Sequence, residues 1–193
     1  VTNTKYLPKV VPVGEKIGQL SKELCIQLKL DNQPDIIAGT TDSIAALIST
    51  GITQVGQAVT SLGSTLVVKL ISEQPIFVPA QGIYSHRLAK LWLVGGASNT
   101  GGQVLRHFFE DEKLRQLSKE IDITAPTVDY YPLLSAGERF PINDPQLKPK
   151  MTPRPKSDVT FLHSLLQSIA NIEHLAYERL LVSGAQPANV IYT

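Results

Sequence analysis

The sequence predicts an α/β fold. Three observations carry that expectation. β-rich runs pair up over 57–71 and 82–95, helical periodicities recur between and after them, and the apolar run 35–38 leads to a strand-to-helix corner at Asp42. With 193 residues the chain is long enough for one domain with a sizeable core.

The elements follow in order. Residues 1–16 read as extended, because Pro8 and Pro12 deny an early helix. From 18 to 30, Leu20, Leu24, Cys25 and Leu28 fall at helical spacing, and Asp31-Asn32-Gln33-Pro34 turns the chain. A strand over 35–38 precedes the corner at Asp42, and a helix then runs to about Thr50, where Gly51 stops it. Two strands flank Gly63-Ser64, the second rich in β-formers (Thr65-Leu66-Val67-Val68). Strands near 82–87 and 91–95 turn around Leu88-Ala89-Lys90. The glycine-rich run Gly95–Gly102 reads as a loop into an apolar helix with Val104, Leu105, Phe108 and Phe109, and a short charged helix covers 112–120. Seven of the 13 prolines lie between 126 and 155, which reads as irregular loop. The stripe Leu162, Leu165, Leu166, Ile169, Ile172 and Ala176 predicts a long helix over 158–182, capped by Ser157 and stopped by Gly184. A last strand begins near Asn189.

Composition narrows the function classes. A net charge of +1 lacks the basic excess of a nucleic-acid footprint. The apolar runs are too short to span a bilayer, and no signal-peptide pattern opens the chain. The single Cys25 has no disulfide partner and reads as a small core residue, which points to a reducing compartment such as the cytoplasm. The four histidines lack metal-ligand spacing, and His163 and His174 read as the solvated flank of the long helix. The first residue is Val1 and the last strand is barely begun at Thr193, which suggests a piece of a longer polypeptide.

Asp42 carries two readings. A carboxylate at the mouth of a strand suits a general base that takes a proton from a substrate hydroxyl. The same Asp at a helix start suits a cap, and spacing alone favours the cap. Gly63, Ser64 and Thr65 form either a plain hairpin turn or a cradle of N–H groups and hydroxyls for phosphate oxygens; there is no Gly-Lys-Ser/Thr of a P-loop. Gly101, at the start of the apolar helix, suits either close packing or a nucleotide at a helix N-terminus. Tyr130 and Tyr131 read as loop anchors, and Glu138-Arg139 as an ion pair. Ser61 lacks the Gly-x-Ser-x-Gly elbow of a hydrolase nucleophile.

In order, Ala38-Gly39-Thr40-Thr41-Asp42 and Gly56 through Thr65 resemble the second, C-terminal domain of FGGY-type carbohydrate kinases. The Gly-Gly segment before Leu105-Arg106-His107-Phe108-Phe109, and Tyr131-Pro132 with Gly137-Glu138-Arg139, extend the resemblance over essentially all of 1–193. The sequence is most similar to a cyanobacterial and plant branch described as D-ribulose or xylulose kinase-like. The resemblance implies an actin-like, ribonuclease-H-like ATPase domain, a mixed sheet flanked by helices. It implies transfer of phosphate from ATP, with Mg, to a sugar hydroxyl, most readily that of a pentulose such as D-ribulose. Asp42 would be the catalytic base, Ser43 would stand beside the sugar, Gly63, Ser64 and Thr65 would bind phosphate, and Gly101 would contact the nucleotide. No metal ligand is implied in this chain. Two positions depart from the family pattern: Ser43 stands where Asn or Gln is common, and Gly63-Ser64-Thr65 where Gly-Thr-Ser or Gly-Thr-Thr is common. The family's Asp-Phe-Gly-Thr phosphate motif of the first domain does not occur here, and its adenine motif would follow Thr193. The resemblance therefore implies an isolated chain that is catalytically silent and needs a first kinase domain, in the cytoplasm or, in a plant, the plastid. Xylulokinase or another polyol kinase is the alternative within the family. A sugar or nucleotide sensor, or an assembly ATPase, is the alternative outside it.

Overall fold

The computed structural model describes residues 4–193, which form two compact units divided between Gly51 and Ile52. The part of the extended reading that falls on residues 1–3 lies outside the described residues.

The first unit holds a two-stranded antiparallel sheet, β1 (Lys16–Gln19) and β2 (Asp35–Ile37), with helices α1 (Lys22–Gln27) and α2 (Asp42–Ile48). The helix expected from residue 18 begins only after Ser21, whose Oγ accepts the Leu24 N–H at 3.2 Å. The residues before it are spent on β1, so the apolar spacing at Leu20 belongs to a strand end. Lys16 Nζ lies 2.6 Å from Asp35, and Gln19 donates to the same carboxylate at 3.0 Å. These hydrogen bonds, Lys16 first, hold the Asp35 carboxyl below its usual range.

The second unit is built on one five-stranded sheet in the order β5 (Tyr84–Leu88), β6 (Leu91–Ala97), β4 (Leu66–Ser72), β3 (Gln57–Leu62), β7 (Val190–Tyr192). Its neighbours are antiparallel except β3 and β7, which run parallel, so the sheet is mixed. Helices α3 (Gly102–Phe108), α4 (Asp111–Lys119) and α5 (Asp158–Val182) complete the unit. The strand expected near 91–95 runs on to Ala97, so Gly96 as well as Gly95 lies inside β6. A Cβ on Gly95 would sit 1.9 Å from the Val68 carbonyl oxygen, and one on Gly96 would sit 2.4 Å from the Phe140 ring. The glycines thus serve close packing within the sheet.

At 1.5 Å per residue, the 25 residues of α5 extend about 37 Å, enough to bridge two clusters. Phe161, Leu162, Leu165, Ile169 and Ile172 pack with Leu105, Phe109, Leu117 and Tyr130, while Ala176 and Leu180 pack on Ala58, Val68, Leu70 and Val94 of the sheet. Ser157 caps the helix by accepting the Thr160 N–H, and Gly184 closes it at φ 98°. His174 is exposed, 3.3 Å from Glu178, as expected. His163 is buried instead, because α4 and the chain after it cover that side of α5.

The proline-rich stretch 126–155 is irregular but held. Tyr131 and Lys150 exchange two backbone hydrogen bonds, Tyr130 Oη donates to the Pro153 carbonyl at 2.7 Å, and the Val128 and Tyr130 N–H groups donate to Ser164 and Ser168 of α5. Both tyrosines are loop anchors, as the sequence suggested.

On the sheet face away from α5, Lys69 is buried and its Nζ has no hydrogen-bond acceptor among the described residues. It stands 3.9 Å from the centre of the Tyr84 ring. Burial lowers the amine from 10.5 to about 8. That depression corresponds to a penalty on the charged form of about 3 kcal/mol, and a cation–π contact offsets at most about 2 kcal/mol. The penalty is fully present below pH 8 and is relieved as pH rises toward 10.5, because the unfolded chain then holds the proton that the folded chain has lost. Lys69→Met is therefore expected to stabilise the protein by about 1–2 kcal/mol at pH 7, with the gain shrinking toward pH 10.5. Urea midpoints of both proteins across that range check this, and a variant less stable at pH 7 contradicts it.

Candidate functional site

Asp42 sits in the first unit, where β2 passes into α2. The exit of β2 is fixed by Ala38, whose N–H donates to the Glu15 carbonyl and whose own carbonyl accepts the Gly14 N–H, both at 2.8 Å. Thr41 occupies the N-cap position with extended backbone, but its side chain makes no cap bond to the helix backbone. Asp42 takes that role from the first helical position: its Oδ1 accepts the Ser43 N–H at 2.6 Å. The side chain is exposed, and its Oδ2 has no partner among the described residues. The capping bond thus occupies one oxygen only and leaves the other without a partner among the described residues. Ser43 Oγ lies 3.3 Å from Thr41 Oγ1, on the same turn.

Gly63, Ser64, Thr65 and Gly101 belong to the second unit, and the fold brings them together. Gly63–Thr65 is the turn between β3 and β4, closed by the Gly63 N–H on the Thr65 carbonyl at 3.1 Å. The segment 98–103 runs alongside. Leu66 donates to Thr100 at 2.7 Å, Ser98 donates to Leu66 at 2.9 Å, Gly102 donates to Gly63 at 2.8 Å and Gln103 donates to Ser64 at 3.2 Å. The first N–H groups of α3 are therefore spent on carbonyls of the turn, and the helix start clamps the turn. What remains unspent is the N–H of Ser64, Thr65 and Gly101 and the hydroxyls of Ser64 and Thr65, none of which bonds another described residue. Ser61, Gly63 and Ser64 are exposed. Three N–H groups and two hydroxyls without partners at and beside one tight turn are donors of the kind that an anion takes.

Glu138 is the feature that sequence reasoning misread. It is 2% exposed and makes no ion pair with Arg139. Its Oε1 accepts the N–H of Asn99 at 2.7 Å, of Arg139 at 2.8 Å and of Phe140 at 3.4 Å; its Oε2 accepts Ser98 Oγ–H at 2.6 Å and Tyr131 Oη–H at 3.0 Å. The Arg139 guanidinium turns instead to Asn99 Oδ1 at 2.6 Å and the Ser98 carbonyl at 3.4 Å. Burial, and then the adjacent Glu138 charge, push the Tyr131 phenol well above its usual value, so it stays a donor. Among the described residues no group of three or more His, Cys, Asp or Glu is placed to hold a metal ion, and no helix is long and apolar enough to cross a membrane.

No family model matches the chain. A gluconokinase of Bacillus subtilis is 23% identical over 161 residues, covering 74% of this chain and 31% of its own length. A ribulokinase of Halalkalibacterium halodurans is 30% identical over 74 residues, 38% of this chain and 13% of its own. The crystal structure of a xylulose kinase from Lactobacillus acidophilus matches with a TM-score of 0.81 at 19% identity, over 98% of this chain and 40% of that one. The chain thus spans about a third of the length of the gluconokinase it matches. These relatives and neighbours are kinases of sugars or sugar acids by name, and the fold this chain shares with the solved structures is the actin-like ATPase fold, an α/β arrangement with a mixed sheet flanked by helices.

Proposed function

We propose that this chain is the second, C-terminal domain of an ATP-dependent carbohydrate kinase that phosphorylates a hydroxyl of a pentulose such as D-ribulose. The observation that carries the reading is the turn at Gly63–Thr65, clamped by the start of α3 and left with free N–H groups at Ser64, Thr65 and Gly101. That donor set fits the phosphates of a nucleotide. Bound there, ATP would supply the phosphoryl group and Mg would offset its charge, with no residue of this chain assigned to the ion. Asp42 Oδ2 is the proposed acceptor of the sugar hydroxyl's proton, while Oδ1 stays on the Ser43 N–H. The Ser64 and Thr65 hydroxyls and the Gly101 N–H hold phosphate oxygens. Ser43 flanks the sugar. The length of the relatives outside the matched part is where the reading places the first domain and the remaining sugar contacts. The setting is the cytoplasm or a plastid.

The gluconokinase match covers more of the chain than the ribulokinase match, which favours a sugar acid as the second candidate acceptor. A coupled ADP-release assay of the full-length kinase on D-ribulose, D-xylulose, gluconate and polyols decides between them. Turnover is expected on a pentulose, and none by the 193-residue chain alone. Comparable turnover by the isolated chain would overturn the two-domain reading. A full-length protein that binds MgATP and turns over no acceptor would make it a sensor.

A further inference from the structure

We propose that Glu138 is a positioning residue for the phosphate-binding turn, acting through Ser98 and the segment 98–102; the inference rests on the reading of that turn given above. Five donors converge on this one carboxylate, which offers about four lone-pair sites, so its acceptor capacity is filled. No ion pair to it occurs among the described residues. A buried carboxylate held only by neutral donors is a costly way to stabilise a loop, and a well-packed apolar group would do so more cheaply. What the charge provides is direction. It accepts and never donates, so Ser98 Oγ must spend its single proton on Glu138 at 2.6 Å. The Ser98 oxygen is then left as an acceptor, and it takes the Thr100 N–H at 3.1 Å.

From there the connection to the turn is short. The Thr100 carbonyl accepts the Leu66 N–H and the Leu66 carbonyl accepts the Ser98 N–H, which ties the segment to the first residue of β4. The next residue is Gly101, whose Cα faces the backbone of Ser64 and Thr65, and then Gly102, which donates to Gly63. With the Ser98 proton fixed by Glu138, the Thr100 N–H is held on Ser98 Oγ, and the N–H of the next residue, Gly101, is left without a partner, as are those of Ser64 and Thr65. Arg139 completes the brace by holding Asn99 Oδ1 and the Ser98 carbonyl. Ser98 and Asn99, the members of the segment that Glu138 contacts directly, lie 40 and 39 residues from it, so its hold on the segment is tertiary.

The test uses Glu138→Gln, which keeps the volume and places an NH₂ donor against donors. In the 193-residue chain without nucleotide, faster amide exchange is expected at Gly102 and Gln103 and at Leu66 and Thr100, with the amides of α5 unchanged. MgATP affinity by calorimetry is expected to fall about tenfold. Glu138→Asp, which keeps the charge, is expected to restore part of both effects. Ser98→Ala, which removes the relay and leaves the other four donors on Glu138, is expected to give the same local pattern at smaller size and serves if the Gln variant fails to fold. Exchange rising evenly over the whole chain, or unchanged at 98–103, would overturn the proposal. A wild-type chain that binds no MgATP counts against the nucleotide reading alone, and the exchange pattern still decides the brace.

Discussion

Asp42→Asn in the full-length kinase is expected to lower kcat by about 10³-fold and to leave MgATP affinity within about twofold. The substitution separates the capping bond seen at this side chain from the base role proposed for it. Asn keeps an Oδ1 that can accept the Ser43 N–H now held at 2.6 Å, so the start of α2 survives and stability changes little. It removes the basic oxygen that would receive the sugar proton. Asp42→Ala removes both and is expected to add a loss of about 1 kcal/mol of stability, the usual cost of a missing cap. Turnover, thermal melting and calorimetric MgATP binding on the three proteins together check this. Unchanged turnover in the Asn variant would reduce Asp42 to its capping bond, the reading that spacing alone preferred.

How much of this was legible in the sequence depends on how local each feature is. The stripe from Leu162 to Ala176 encodes α5 by itself, and Ser157 and Gly184 mark its ends, so the helix emerged with its bounds. The β3–β4 hairpin was legible for the same reason: β-formers on either side of Gly63-Ser64. The continuation of β6 through Gly96 was not, because two adjacent glycines carry no strand signal. What makes them a strand is the Val68 carbonyl on a neighbouring strand and the Phe140 ring 44 residues downstream of Gly96. His163 read as solvated because a single-helix pattern does not show what α4 covers. The site divides in the same way. Asp42, the turn and Gly101 stand in short runs whose order resembles a family, and the sequence singles out all of them as candidates. The role of Glu138 does not reside in Gly137-Glu138-Arg139. It comes from Ser98, Asn99 and Tyr131, which no local pattern connects to it, and so an adjacent arginine was taken for its partner.

Gly101→Ala is expected to lower stability by about 2–4 kcal/mol and to weaken MgATP binding at least tenfold, whereas Gly63→Ala is expected to leave the fold intact and weaken binding only. Gly101 has φ 150° and ψ −162°, a region open in practice to glycine alone. A Cβ there would lie 2.6 Å from the Thr65 Cα and carbonyl carbon and 2.7 Å from the Ser64 oxygen. Those neighbours are all backbone, so relief requires the turn itself to move, and with it the N–H groups of Ser64 and Thr65. Gly63 was the glycine that the sequence singled out for turning tightly, yet its φ lies outside the positive range and an added Cβ meets only the Thr65 carbonyl at 3.8 Å. The fold does not require glycine at 63. If glycine matters there, it is because a ligand comes close to the backbone. The pair of variants therefore distinguishes a turn shaped for packing from one shaped for phosphate. Melting temperatures with MgATP titrations on both proteins read the difference. A Gly63→Ala variant that binds MgATP as the unaltered chain does would remove Gly63 from the phosphate site, and a Gly101→Ala variant as stable as the parent would show that the clamp between α3 and the turn is looser than its distances imply.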